Sequence, residues 1–317
     1  AGKRSARLRF ATGQDINSWR ISMSLVVNHN LMAANSSRYL NTHYKALSDS
    51  TRKLSSGLRV ETAADDAAGL AIRELMRAEI STLNQGVRNA NDGISLIQTA
   101  DGALQVVDEK LIRMKELAEQ AATGTYDSTQ RLIIESEYQQ MASEITRIAN
   151  ATDFNGIKLL DGNLSSDTHD GTGLVSTGKL KIHFGTANDS AEDYYYIQIG
   201  DSTASALGVG NANGGGAGHD ISTQANAQKA LDAINNAIVS KDNIRAHLGA
   251  LQNRLENTIT NLEVQSENLQ SAESQISDVD VATEMTNFVR NQILTQSAVS
   301  MLGQANSLPQ MALSLIG

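Results

Sequence analysis

Between Ala227 and Ile276 the apolar and small positions recur in alternating steps of three and four: Ala227, Ala230, Ile234, Ala237, Lys241, Ile244, Leu248, Leu251, Leu255, Thr258, Leu262, Gln265, Leu269, Ala272, Ile276. That spacing keeps one stripe turned toward a partner helix and predicts a continuous rod of coiled-coil type, weakened only at Gly249. At ~1.5 Å per residue such a helix is roughly 75 Å long, more than a chain of this size hides inside a globule. Its partner must be another long helix. One is present, running to about Ala122 on Met76, Ile80, Leu83, Val87, Ala90, Ile94, Ile97, Asp101, Leu104, Asp108, Leu111, Lys115 and Ala118. Gly86, Gly93 and Gly102 interrupt it, each costing ~1 kcal/mol against alanine. The reading that best accounts for them is close approach by a neighbouring backbone.

Shorter elements flank this pair. Ala33, Ser37, Leu40, Tyr44, Leu47, Thr51 and Leu54 form a thin seam that Gly57 ends, where a left-handed cap stops a helix. Asp65 and Asp66 precede the first long helix. They read as N-caps that favour its dipole rather than as an acid/base pair, since no histidine or third carboxylate stands nearby. Ile134, Tyr138, Met141, Ile145 and Ile148 define a third helix. The period then changes to two. Leu180, Ile182 and Phe184, and then Tyr195, Ile197 and Ile199, predict two strands joined by a polar turn, with Ile157 and Leu159 a possible third. Residues 161–178 and 200–222 read as loop, and the Gly208–Gly218 run follows no phosphate-binding pattern.

The chain ends in a helix capped by Ser277 with Asp278 or Asp280. Its seam is Leu294, Ala298, Met301, Ala305, Leu308, Ala312 and Leu315, and Val281, Met285 and Phe288 widen the apolar face. The tail carries almost no charge, so its face suits a protein partner better than a membrane. Both ends are weak folders bearing seams, and an uncovered seam costs ~25 cal/mol per Å2. Pairing the first helix with the last covers part of it, and further copies of the chain cover the rest. Contacts that are not self-complementary propagate into a helical fibre.

Composition narrows the function. Zero cysteines exclude disulfides, thiolate zinc sites and cysteine nucleophiles. Aromatics at 4% and a single proline argue against a compact enzyme. The net charge is -9, and residues 1–22 alone hold +4, which leaves an acidic body unsuited to nucleic acid. Those residues, with Trp19, have no clear period and read as a mis-called start or a cloning scar. The strongest enzymatic reading would take His169, His183 and His219 with Asp170 and Asp220 as metal ligands. They lack ligand spacing, and no cofactor or metal is expected.

Residues 55–72, SSGLRVETAADDAAGLAI, resemble the N-terminal signature of bacterial flagellins. Residues 249–263, GALQNRLENTITNLE, and 278–316, DVDVATEMTNFVRNQILTQSAVSMLGQANSLPQMALSLI, resemble its C-terminal counterpart, and the run from Met23, MSLVVNHNLMA, resembles its usual start. The resemblance implies a mainly α chain, a long antiparallel coiled-coil-like rod with a small β-hairpin region. Residues 23–60 and 277–317 would form an inner helical domain, 61–160 and 223–276 the rod, and 161–222 the hairpin and variable surface loops, with an outer domain small or absent. No His-Glu-x-x-His of the protease-bearing relatives occurs.

By the same resemblance the chain is the non-enzymatic subunit of the extracellular flagellar filament, built for swimming. It would be exported unfolded through the flagellar type III channel, with an export chaperone on its last helix and a filament cap as a further partner. Leu294, Met301, Leu308 and Leu315 would form the polymerisation and chaperone seam. Arg113, Leu117 and Glu137 match the positions that Toll-like receptor 5 reads, although from the sequence alone Leu117 is core and the other two are solvated. Leu313 and Leu315 match apolar positions sensed by inflammasome receptors. A hook-filament junction protein of the same superfamily, or a coiled-coil adaptor, is the alternative.

Overall fold

Short polar side chains open the helices. In the computed structural model, which describes residues 29–173, 177–190, 192–210, 218 and 220–316, five helices account for most of the chain. They are α1 (Leu31–Ser56), α2 (Ala67–Ala122), α3 (Ser128–Ala151), α4 (Gln224–Ser277) and α5 (Val281–Ile316). Asp66 caps α2 by accepting the amides of Ala68 and Gly69, and Asp127 with Gln130 forms a capping box on α3. Of the three candidates ahead of α5, Asp280 is the cap, accepting from Ala282 and Thr283. The readings made on residues 1–22 and on His219 lie outside the described residues. The chain divides into two compact units: one takes the described residues up to Asp65 together with Ser277 onward, the other is Asp66–Ile276.

In the second unit α2 and α4, about 80 Å long at ~1.5 Å per residue, run antiparallel. Their apolar stripes meet along the whole contact, Leu83 with Leu262 at one end and Val107 to Ala121 with Ala227 to Ala237 at the other. Lys241 lies on the predicted seam and is 1% exposed. Its ammonium is bracketed by Asp108 of α2 and by Asp242, 2.7 Å away, while Arg245 holds Asp101 at 2.7 Å. The polar interruptions of the two seams therefore face each other.

Two positions depart from the expected seams. Lys115 is exposed and Met114 is buried, as is Val107, because α2 also carries α3 and needs a wider apolar face than a two-helix contact. Gln265 is exposed and Ser266 takes its place inside.

The strands are short antiparallel pairs. β1 (Asp153–Phe154) and β2 (Ile157–Lys158) are joined by Asn155 and Gly156, both at positive φ, the combination a two-residue hairpin requires. β3 (His169–Asp170) pairs with β4 (Thr177–Gly178) inside a stretch expected as loop. β5 (Leu180–His183) pairs with β6 (Tyr194–Ile197) in the register Ile182 to Tyr195, as the alternation predicts. The described residues of 200–222 are irregular as expected, but they are not peripheral. Ala204, Leu207, Val209 and Ile221 lie in the core formed by α2, α3 and α4. Tyr138, buried in α3, donates its hydroxyl to the carbonyl of Gly218 at 2.6 Å, and burial pushes that phenol up from its ordinary range.

The glycines of α2 separate into two kinds. A Cβ on Gly86 would stand 2.0 Å from the Phe184 carbonyl oxygen, so the hairpin backbone rests directly on the helix there. Gly93 has ordinary contacts with Ile182 and Leu255, and nothing approaches Gly102. Gly86→Ala is expected to destabilise by about 2 kcal/mol through overpacking, and Gly102→Ala to stabilise by up to about 1 kcal/mol. Guanidinium unfolding followed by circular dichroism checks both signs. For the buried cation, Asp108→Ala is expected to lose about 3 kcal/mol, at the low end for a broken buried pair because Asp242 remains. Lys241→Met should lose less in the same titration, since it removes the charge that needs pairing.

Candidate functional site: the terminal helices

Among the described residues the first unit has only α1 and α5 to build with. Gly57, at φ 73°, ends α1 in the left-handed conformation, and its amide returns to the Lys53 carbonyl at 2.9 Å. The chain then makes a small bridge with the start of the returning segment: the Arg59 amide donates to Ser277 and the Val279 amide to Gly57. Asp65 fixes the turn between, accepting from the amide and hydroxyl of Thr62 and the amide of Glu61, with Arg52 at 3.2 Å. Those hydrogen bonds, helped by Arg52, hold its carboxyl at about 2. Asp65 is thus a turn-former rather than a second helix cap.

The contact between α1 and α5 is narrow. Only Ser50 of α1, and Ala298 and Ala305 of α5, are fully buried among the described residues of these helices. On α1 the inward positions are His43 and Ser50 where Tyr44 and Thr51 were expected; Tyr44 is 65% exposed. On α5 the inward positions are Asn291, Thr295, Ala298, Leu302 and Ala305. Leu294 and Met301, predicted on the same seam, stand outside it at 37% and 58% exposure. Small residues let the two helices approach closely, and that rotation carries the larger side chains to the flank. Leu308 is half-buried; the side chains of Leu313 and Leu315 lie outside the described residues.

A second apolar stripe on α5 was only partly legible. Val281, Met285, Val289, Ile293 and Val299 are all exposed. Val281 and Met285 were read as widening the face; Val289 and Ile293 continue them at steps of four, the signal that would have found them. Of the twenty large hydrophobic residues exposed among the described ones, twelve belong to α1 or α5. Exposed apolar side chains gathered on one helix pair in this way point to an interaction surface. No helix among the described residues is long and apolar enough to cross a membrane.

The remaining predicted residues lie in the second unit. Arg113 is exposed and forks, donating Nε and Nη2 to Glu137 at 2.9 and 2.8 Å and Nη1 to Glu116 at 2.9 Å. Leu117, one turn on, is 1% exposed and belongs to the core, so its side chain cannot itself touch a partner. His169 and His183 sit against Tyr196 and Tyr194, and His169 Nδ1 meets the Lys179 carbonyl at 2.8 Å. Through the Tyr194–Tyr196 edge contact the two rings join one aromatic row on the β5–β6 hairpin. A groove of about 780 Å3 beside that hairpin is lined by Phe184, Tyr195, Asn253, Arg254, Asn257 and Asn261, with Arg254 stacked on Tyr195 at 3.4 Å.

Comparison with known proteins accounts for this arrangement of paired ends. The family model for the bacterial flagellin N-terminal helical region matches residues 27–165, and that for the C-terminal helical region matches 231–316. A flagellin of Halalkalibacterium halodurans is 44% identical over 292 residues, covering 92% of this chain and all of the relative. The flagellar filament 33 kDa core protein of Treponema phagedenis is 41% identical over 292 residues, with the same coverage. A flagellin of Bacillus subtilis is 42% identical over 307 residues, covering 92% of this chain and 99% of the relative. Among solved structures, a putative flagellar hook-associated protein from Vibrio parahaemolyticus shares the fold, with a TM-score of 0.53 at 15% identity over 68% of this chain and all of that one. With matched helical regions at both ends and relatives above 40% identity along nearly its whole length, the chain belongs to the bacterial flagellin family.

Proposed function

We infer that the chain works as a structural subunit that polymerises into the flagellar filament, and that its α1/α5 pair is the part other copies cover. The observation that carries this reading is the uncovered apolar flank: two helices seal one narrow stripe and leave Met285, Val289, Ile293, Leu294 and Met301 to solvent. Burial at ~25 cal/mol per Å2 favours neighbours on that flank over water. Flagellins are structural proteins, and membership supports this role ahead of the hook-filament junction alternative, for which the likeness is one of fold. Export as an unfolded chain through the flagellar channel, a chaperone on α5, a filament cap and an extracellular filament complete the proposal. A thin two-helix seam, easily opened, supports passage through a narrow channel.

Seeded elongation tests the polymerisation role. The intact chain is expected to extend filament seeds, whereas a chain ending before residue 290 should not. Val289→Asp with Ile293→Asp should abolish elongation while leaving the unfolding midpoint of the second unit unchanged. Growth of either altered chain at the normal rate would remove α5 from the assembly surface.

The same reading extends to host sensing. Arg113 and Glu137 form an exposed, mutually oriented charge pair, with Leu117 beneath holding the α2 backbone in place. Toll-like receptor 5 would read the charged pair. Arg113→Ala is expected to cut receptor-reporter signalling by an order of magnitude or more with seeded elongation unaffected; an undiminished signal would count against the assignment.

A further inference from the structure

Asn30, immediately before α1, uses both ends of its carboxamide. Its Oδ1 accepts the Ala33 amide at 2.9 Å, closing one of the open donors at the helix start. Its Nδ2 donates to the carbonyl of Ala305 on α5 at 2.7 Å, 275 positions along the chain. Ala305 is four residues before Pro309, the chain's one proline, which stands inside α5. In an unbroken helix the carbonyl of Ala305 would accept the amide of residue 309, and proline has none to give. Ala305 is 4% exposed, so water is a poor substitute for the missing donor. A donor from α1 therefore arrives at the carbonyl that the proline leaves without its helix partner.

We propose that Asn30 and Pro309 together set the register of the terminal helices: Pro309 opens a single acceptor on α5, and Asn30 couples that acceptor to the capped start of α1. In any slipped pairing Nδ2 meets a carbonyl already bonded along its own helix, while the Ala305 carbonyl is left unsatisfied. The assignment is specific to a carboxamide. Aspartate keeps the cap and loses the donor; alanine loses both. Pro309 is then a positioning residue of the assembled subunit rather than a tolerated fault in a helix.

The test is a double-mutant cycle in filaments grown from the full chain: unchanged, Asn30→Asp, Pro309→Ala, and both together. The readout is the critical concentration for seeded elongation. Asn30→Asp should raise it roughly 5- to 10-fold when Pro309 is retained and less than roughly 2-fold in the Pro309→Ala background, where the helix supplies its own donor. Equal effects in the two backgrounds would overturn the proposal. If a variant fails to elongate, filaments of the unchanged chain decide the matter by side-chain nitrogen NMR. One of the two Asn30 carboxamide protons should exchange slowly with solvent, and two freely exchanging protons would overturn the proposal equally.

Discussion

A helix of more than fifty residues with one apolar stripe can be covered only by something equally long, and that constraint governs the chain. α2 and α4 meet it for each other, antiparallel, over most of their lengths. Two long apolar stripes have many nearly equivalent alignments, so register has to come from elsewhere. It comes from the polar interruptions: Lys241 faces Asp108 and Arg245 faces Asp101. A buried pair of this kind contributes little net stability against an apolar replacement. A shifted alignment would leave the Lys241 ammonium without Asp108, and that penalty selects the observed one.

The two units differ in how completely their seams are closed. In the second, α3, the hairpins and the anchors Ala204, Leu207, Val209 and Ile221 cover what α2 and α4 leave open. In the first the described residues supply no third element, and two helices in contact bury only a stripe of each. The apolar surface that packing leaves uncovered in the described part of the first unit is the one on which the proposed assembly role rests.

Much of this was legible from spacing alone. The ends of α2, the run of α4, the Gly57 cap and the facing of β5 and β6 follow from periodicity and cap chemistry, which act locally. What could not be read was which flank of a wide apolar face turns inward. Met114 against Lys115, Ser266 against Gln265, and His43 against Tyr44 are one-residue choices that depend on how many neighbours a helix serves and how closely they approach. The same limit placed Leu294 and Met301 on the wrong side of the α1 contact. The buried role of 200–222 was hidden by its composition, since four apolar anchors in a polar stretch carry no period. Among the residues proposed for receptor recognition, Leu117 obeyed the pattern that made it core, while the mutual orientation of Arg113 and Glu137 came only from bringing α2 and α3 together.

Those anchors have a practical corollary. Val209 and Ile221 are each fixed independently in the interior, and Tyr138 ties down Gly218 just before the second. Trimming either apolar side chain to alanine would therefore open a hole in the rod interior, so a stretch with the composition of a surface loop has to be treated as core when the protein is redesigned.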